Sequence, residues 1–129
     1  MNKKFLKDFY RMTGRPFTFS VKNIVTMIFQ HNLRFMYLWR KHEKNPNIFT
    51  RLRLLRYTKK YGLEISRNAI IDEGFYIGHP YNITVAENVK IGKNVNIHKG
   101  CTIGRENRGK RKGFPTIGNN VFIGTSIVR

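Results

Sequence analysis

The sequence predicts a mainly β fold, a parallel β-helix of triangular cross-section, preceded by a basic α-helical N-terminal region. Three observations carry this. Residues 77–104, "IGHPYNITVAENVKIGKNVNIHKGCTIG", hold an aliphatic residue at almost every sixth place. Ile-Gly pairs stand at Ile77-Gly78, Ile91-Gly92, Ile103-Gly104, Ile117-Gly118 and Ile123-Gly124. Charge divides the chain: residues 1–60 carry 15 Lys/Arg and 2 acids, a balance of +13, and residues 61–129 carry 10 and 5, a balance of +5. Six is neither the helical nor the strand period. A hexad makes one short strand and one turn, three hexads close a coil of about 18 residues, and stacked coils fill the axis with Ile and Val.

The boundary is placed at 1–62 for the helical region and 63–129 for the β-helix. One helix is expected at about 21–42, with Ile24, Ile28, Phe35 and Leu38 among its apolar positions, and Pro46 breaks it. A second is expected at about 48–61, capped by Asn47 and stopped by Gly62. Ile48, Leu52, Leu55 and Tyr61 can line one side of it, and Arg51, Arg53, Arg56, Lys59 and Lys60 make it basic. This reads as a packing helix or as a helix lying on a membrane surface.

Two combs run through the β-helical part: Ile91, Ile97 and Ile103, and Ile77, Ile83, Val89 and Val95. Ile91, Ile97, Ile103, Ile117 and Ile123 are expected to be buried. The register slips twice, each time by two positions beyond two hexads. The first slip falls between Ile77 and Ile91, around "GHPYN", and the second between Ile103 and Ile117, around "GRENRGKRKGFPT". A solenoid admits insertions as loops leaving a face, where function collects. His79 sits at the first departure. His98 reads as an outward strand residue and Cys101 as core. The chain stops at "FIGTSIVR", one hexad into a coil, so the β-helix is expected to be incomplete at the C-terminus.

The chain is 129 residues with a formal charge of +18 and a pI near 10.6. Such a balance calls for anionic partners. One cysteine excludes an internal disulfide framework. No signal-peptide core follows the N-terminal lysines, and the run "IVTMIF" is too short to span a bilayer. The expectation is a cytoplasmic protein, with peripheral contact at the inner face of the membrane through the basic helices. No zinc spacing, P-loop or dinucleotide fingerprint is present, so no metal is expected. The aromatics Phe35, Tyr37 and Trp39 read as helix packing, so no nucleic-acid partner is expected.

The stretches "LEISRNAIIDEGFYIGH", "ITVAENVKIGKNVNI" and "TIG…GFPTIGNNVFIG" resemble the hexapeptide-repeat acyltransferases, specifically the serine acetyltransferase-like branch. The opening "DFYRMTG" and its basic helices are similar to members found in polysaccharide gene clusters. The resemblance implies a left-handed β-helix, a homotrimer with sites between subunits, and acetyl transfer from acetyl-CoA to a hydroxyl. In the serine enzymes the catalytic histidine follows a carboxylate by 15 positions; Glu64 and His79 keep that spacing. The second active-site histidine of that family falls at Phe114, and the aspartate before the catalytic histidine falls at Gly78. Asn82 and Phe114 are the candidate acceptor contacts, and Gly104, Arg105 and Thr125 the candidate acetyl-CoA contacts.

The implied chemistry has a physical basis. A hydroxyl attacks poorly until its proton leaves, and an imidazole can take that proton near neutral pH. A carboxylate on the other ring nitrogen fixes the tautomer. The loop with Arg105, Arg108, Lys110, Arg111 and Lys112 could attract CoA phosphates or an anionic acceptor. Three readings stand: a sugar or polysaccharide O-acetyltransferase, which Phe114 and Gly78 favour; a serine O-acetyltransferase of cysteine biosynthesis; and a non-catalytic basic binding protein on the same fold.

Overall fold

The computed structural model describes residues 2–104 and 113–125, and the backbone of 127–128. Four helices come first: α1 (Lys3–Thr13), α2 (Val21–Phe29), α3 (His31–Lys44) and α4 (Ile48–Tyr61). Ten short strands follow: β1 (Leu63–Ile65), β2 (Ile70–Ile71), β3 (Tyr76–Ile77), β4 (Ile83–Val85), β5 (Lys90–Ile91), β6 (Asn96–Ile97), β7 (Thr102–Ile103), β8 (Thr116–Ile117), β9 (Phe122–Ile123) and β10 (Ile127–Val128). They form three parallel sheets, β1-β4-β7-β10, β2-β5-β8 and β3-β6-β9. These sheets, called faces A, B and C, are the walls of a left-handed triangular coil.

The two combs have one explanation. Each strand alternates inward and outward, so two residues per hexad point to the axis. Val85, Ile91, Ile97 and Ile103 form one inward file, and Ile83, Val89, Val95 and Cys101 the other; all are buried. Ile117 and Ile123 are buried as well. Between them Thr84, Lys90, Asn96 and Thr102 face outward. Asn88, Asn94 and Asn120 take left-handed corners, with φ of 61°, 57° and 59°. Asn tolerates this region because its short amide can bond locally.

The helix at 48–61 forms as expected, with the Asn47 side chain accepting from Thr50 N–H and Gly62 left-handed at φ 71°. The expected single helix at 21–42 is two helices, α2 and α3, broken at Gln30. No Gly or Pro marks that break. It is held by the Arg34 guanidinium, which donates to the Met27 and Ile28 carbonyls at the end of α2. Phe35 and Leu38 are buried, whereas Ile24 and Ile28 are exposed. Ile48, Leu52 and Leu55 of α4 are exposed too, and α4 turns Thr50, Leu54 and Tyr57 inward instead.

The helices close the open end of the coil. Phe5, Phe9, Leu33, Phe35, Met36 and Trp39 belong to one buried cluster with the Ile/Val files. The Trp39 indole N–H donates to the Ile65 carbonyl at 3.0 Å. Arg40, fully buried, makes a two-pronged pair with Asp8, at 2.8 and 3.2 Å. The same guanidinium reaches the Ile71 and Asp72 carbonyls at 2.6 and 2.8 Å, and the Phe75 N–H donates to Asp8 at 2.8 Å. One ion pair thus ties α1, α3 and the first coil. Among the described residues no helix is long and apolar enough to cross a membrane.

Burial lowers the pKa of His31 below the usual histidine value, although the Pro80 carbonyl opposes this. Burial lowers that of His42 too, with Arg67 and Arg51 adding to it. Both rings therefore bind protons more readily in the unfolded chain. Where the unfolded state binds more protons, stability rises with pH, so it is lost as pH falls through the unfolded value near 6.5. The melting temperature is expected to drop between about pH 7.5 and 5.5, and His31→Phe, which cannot titrate, should flatten part of that drop. A pH-independent melting temperature in wild type across this window would contradict the assignment.

Candidate active site

The site is built on the corner between faces C and A. Leu63 pairs with Ile83 and Ile77 with Ile97, so the first coil takes two positions more than three hexads. The extra pair lies between Ile77 and Val85, where it widens the corner at 78–82. The backbone of this corner is held from both sides. Asn32 of α3 donates to the Ile77 carbonyl at 2.8 Å, and His31 Nε2 bonds the Pro80 carbonyl at 2.8 Å. On the other side, Asn82 N–H donates to Tyr61 O and Ile83 N–H to Gly62 O. His31 stacks on Tyr61 with centroids 3.7 Å apart, and Tyr81 closes against both.

His79 stands at the centre of this clamp, exposed, with a left-handed φ of 46°. Among the described residues, four of the five non-glycine residues with positive φ are Asn. The fifth is His79, which lies there at a cost on the order of 1 kcal/mol and only because its surroundings fix it. Strain of that kind at an exposed titratable side chain points to a functional constraint.

The expectation of an outward strand residue at His98 is corrected in part: the ring lies on the outer side of face C, but the residue follows β6 and begins the turn into the corner. Its ring lies 5.6 Å from that of His79 and is held between Tyr76 and Phe122, at 6.4 and 4.8 Å. Gly78 makes room for it: a Cβ there would stand 2.9 Å from His98 Cε1. Two imidazoles therefore share the face-C side of the corner. The step from His79 to His98 is one position short of the first coil, so the pair is found only once the coil length is known and the coils are stacked.

Glu64 lies on face A, exposed, beside Thr84 of β4. No hydrogen bond or ion pair links it to His79 in this chain. It lines a cleft under α4 with Leu52, Leu55 and Arg67. Asn82 sits in the clamped corner at φ 56°, with its side-chain oxygen where a Cβ on Gly62 would collide. Thr125 is at the same C–A corner two coils on, exposed, its hydroxyl donating to the Lys99 carbonyl at 2.8 Å. Gly104 and Phe114 flank the insertion at the corner between faces A and B. Among the described residues, a Cβ on Gly104 would meet nothing within 4 Å. Arg105 and the basic loop to Lys112 lie outside the described residues. Among the described residues no group of His, Cys, Asp or Glu could hold a metal ion. The candidates thus bracket face A: His79, Asn82 and Thr125 at one edge, Glu64 on the wall, Gly104 and Phe114 at the other edge.

No family model matches the chain. The serine acetyltransferase of Helicobacter pylori is 38% identical over 63 residues, covering 49% of this chain and 37% of that protein. The serine acetyltransferase of Staphylococcus epidermidis is 39% identical over 62 residues, covering 48% of this chain and 29% of that one. The coil is serine acetyltransferase-like. The fold agrees: serine acetyltransferase isoform 3 of Entamoeba histolytica, solved in complex with cysteine, superposes with a TM-score of 0.68 at 22% identity. That match covers 97% of this chain and 45% of the other. Serine acetyltransferase 1 of the same organism, in complex with L-cysteine, gives 0.63 at 20% identity, over 94% and 49%. The chain thus spans well under two thirds of the serine acetyltransferases it matches.

Proposed function

We infer that the chain carries the catalytic corner of an acetyl-CoA-dependent O-acetyltransferase. The observation that supports this most is His79, strained, exposed and clamped on a widened corner of a serine acetyltransferase-like coil. Acetyl-CoA supplies an activated acyl group as its thioester. The chain's own part is to take the proton from the acceptor hydroxyl at a His79 ring nitrogen as the C–O bond forms. The C–S bond then breaks and the thiol leaves with a proton. Glu64, which makes no bond to His79 in the free chain, would have to turn onto that imidazole to serve as its carboxylate partner, and His98 would contact the acceptor from the face-C side. Asn82 and Phe114 are acceptor contacts in this reading, and Gly104 and Thr125 are CoA contacts, with Arg105, outside the described residues, proposed on its sequence position alone.

The two edges of face A support a homotrimer. His79 and Phe114 occupy different corners of one prism, so a site using both draws them from neighbouring copies. The acceptor best supported by the relatives is serine. A sugar hydroxyl is the second reading, and it rests on Phe114, which can stack on a sugar ring, and on Gly78.

The experiment is a thiol-release assay with acetyl-CoA against L-serine and a panel of free and nucleotide-linked sugars. Transfer to serine above the sugars is the expected result. Sugar turnover with serine inert would replace the first acceptor with the second. No release with any hydroxyl acceptor would reject the enzymatic reading for this chain.

A further inference from the structure

Among the described residues, nothing packs on the apolar side of helix α2. Ile24, Ile28 and Phe29 are 52%, 62% and 81% exposed, and Val21, Val25 and the preceding Phe19 join them. Positions 21, 24, 25, 28 and 29 share one side of a helix at 3.6 residues per turn. The opposite side is anchored: Asn23 is buried, with its amide on the Pro16 and Thr18 carbonyls. The aliphatic stripe is therefore turned outward by the fold itself.

A basic groove adjoins this stripe. Arg34 lines the apolar hollow beneath α2 with Phe17, Ile24 and Ile28. Arg34 also lines a groove of about 260 Å³ with Arg53, Arg56, Lys60 and the tyrosines 57 and 61. A second recess joins Met27 of α2 to Lys41 and Arg53. The ion pairs among the described residues are Arg40 with Asp8 and Glu43, and Lys93 with Glu73. None neutralises this groove.

We propose that α2 and the Arg34–Arg53–Arg56–Lys60 groove form a docking surface for an anionic lipid bilayer. The stripe sinks into the headgroup boundary and the groove takes lipid phosphates. Charge selects this occupant. A second copy would bring its own +13 helical region against the first, whereas an anionic leaflet neutralises it. Nucleic acid would answer the charge but leave six apolar side chains in water. At nine residues α2 is about 14 Å long, enough to lie in the interface and far short of a span.

Co-sedimentation of the whole chain with vesicles tests this directly. Binding to phosphatidylglycerol–phosphatidylcholine vesicles should exceed binding to pure phosphatidylcholine by at least tenfold. The exposed double variant Ile24→Glu/Ile28→Glu should lose at least tenfold while its circular dichroism stays that of wild type. Arg53→Gln/Arg56→Gln should weaken binding and reduce its salt dependence. In Phe29→Trp, anionic vesicles should shift the new emission to the blue. Equal binding by wild type and the Ile24/Ile28 variant would overturn the proposal. So would oligonucleotide binding without vesicle binding, or self-association of the free chain that the Ile24/Ile28 variant abolishes.

Discussion

His79→Ala lowers turnover by about 10²–10⁴-fold and leaves the affinity for acetyl-CoA nearly unchanged, if His79 is the group that takes the acceptor proton. The fold survives the change, because the side chain is exposed and belongs to neither inward file. His79→Gly should lose turnover as far but melt higher than His79→Ala, since glycine takes a φ of 46° without strain. Glu64→Gln should cost less than either, as the base remains. Stopped-flow or steady-state thiol release measures the first effect, and calorimetric melting the second. A His79→Ala chain with wild-type turnover would remove His79 from the reaction.

Asp8→Ala destabilises the chain by about 3–5 kcal/mol, which corresponds to a melting temperature roughly 10–20 °C lower. The reason is what it leaves behind. Arg40 is fully buried, and without Asp8 its charge has only carbonyls to face, with Glu43 3.8 Å away at the edge. Burial pushes the Asp8 carboxyl up from the usual range, while the Arg40 hydrogen bond and charge and the Phe75 N–H pull it back. Replacing both partners, as in Asp8→Leu/Arg40→Met, should recover much of the loss because no charge is then buried alone. Recovery should stop short of wild type, since the Ile71 and Asp72 carbonyls lose their donor. A single variant that melts within about 3 °C of wild type would show that the pair does not hold the cap.

The coil was legible because its signal is redundant. Every hexad repeats the same inward Ile or Val, so one misplaced strand could not hide the period, and each of the five Ile-Gly isoleucines is buried, Ile77 at the slip among them. Helix α4 was legible through Asn47 and Gly62, whose capping chemistry is local. Helix α1 was missed, although Asn2 and Gly14 cap it and Phe5 and Phe9 stand one turn apart. Its buried side also carries Asp8, a charge whose partner Arg40 lies far along the chain on α3, and no local pattern shows that. The break at Gln30 was hidden for a related reason: Arg34 holds it from the next helix. At the site, the slip in the comb exposed His79, because an insertion changes the count. His98 keeps the count, so its place beside His79 emerges only when coils are stacked. The clamp by His31 and Asn32 likewise joins α3 to a distant corner and left no trace in spacing.

Isothermal titration with acetyl-CoA, run on wild type and His79→Ala side by side, separates donor binding from proton transfer. Saturable binding to both is expected, with dissociation constants within about threefold of each other, because the histidine acts on the acceptor proton and not on CoA. Absence of binding to wild type, with its melting transition intact, would rule out acetyl-CoA as the donor.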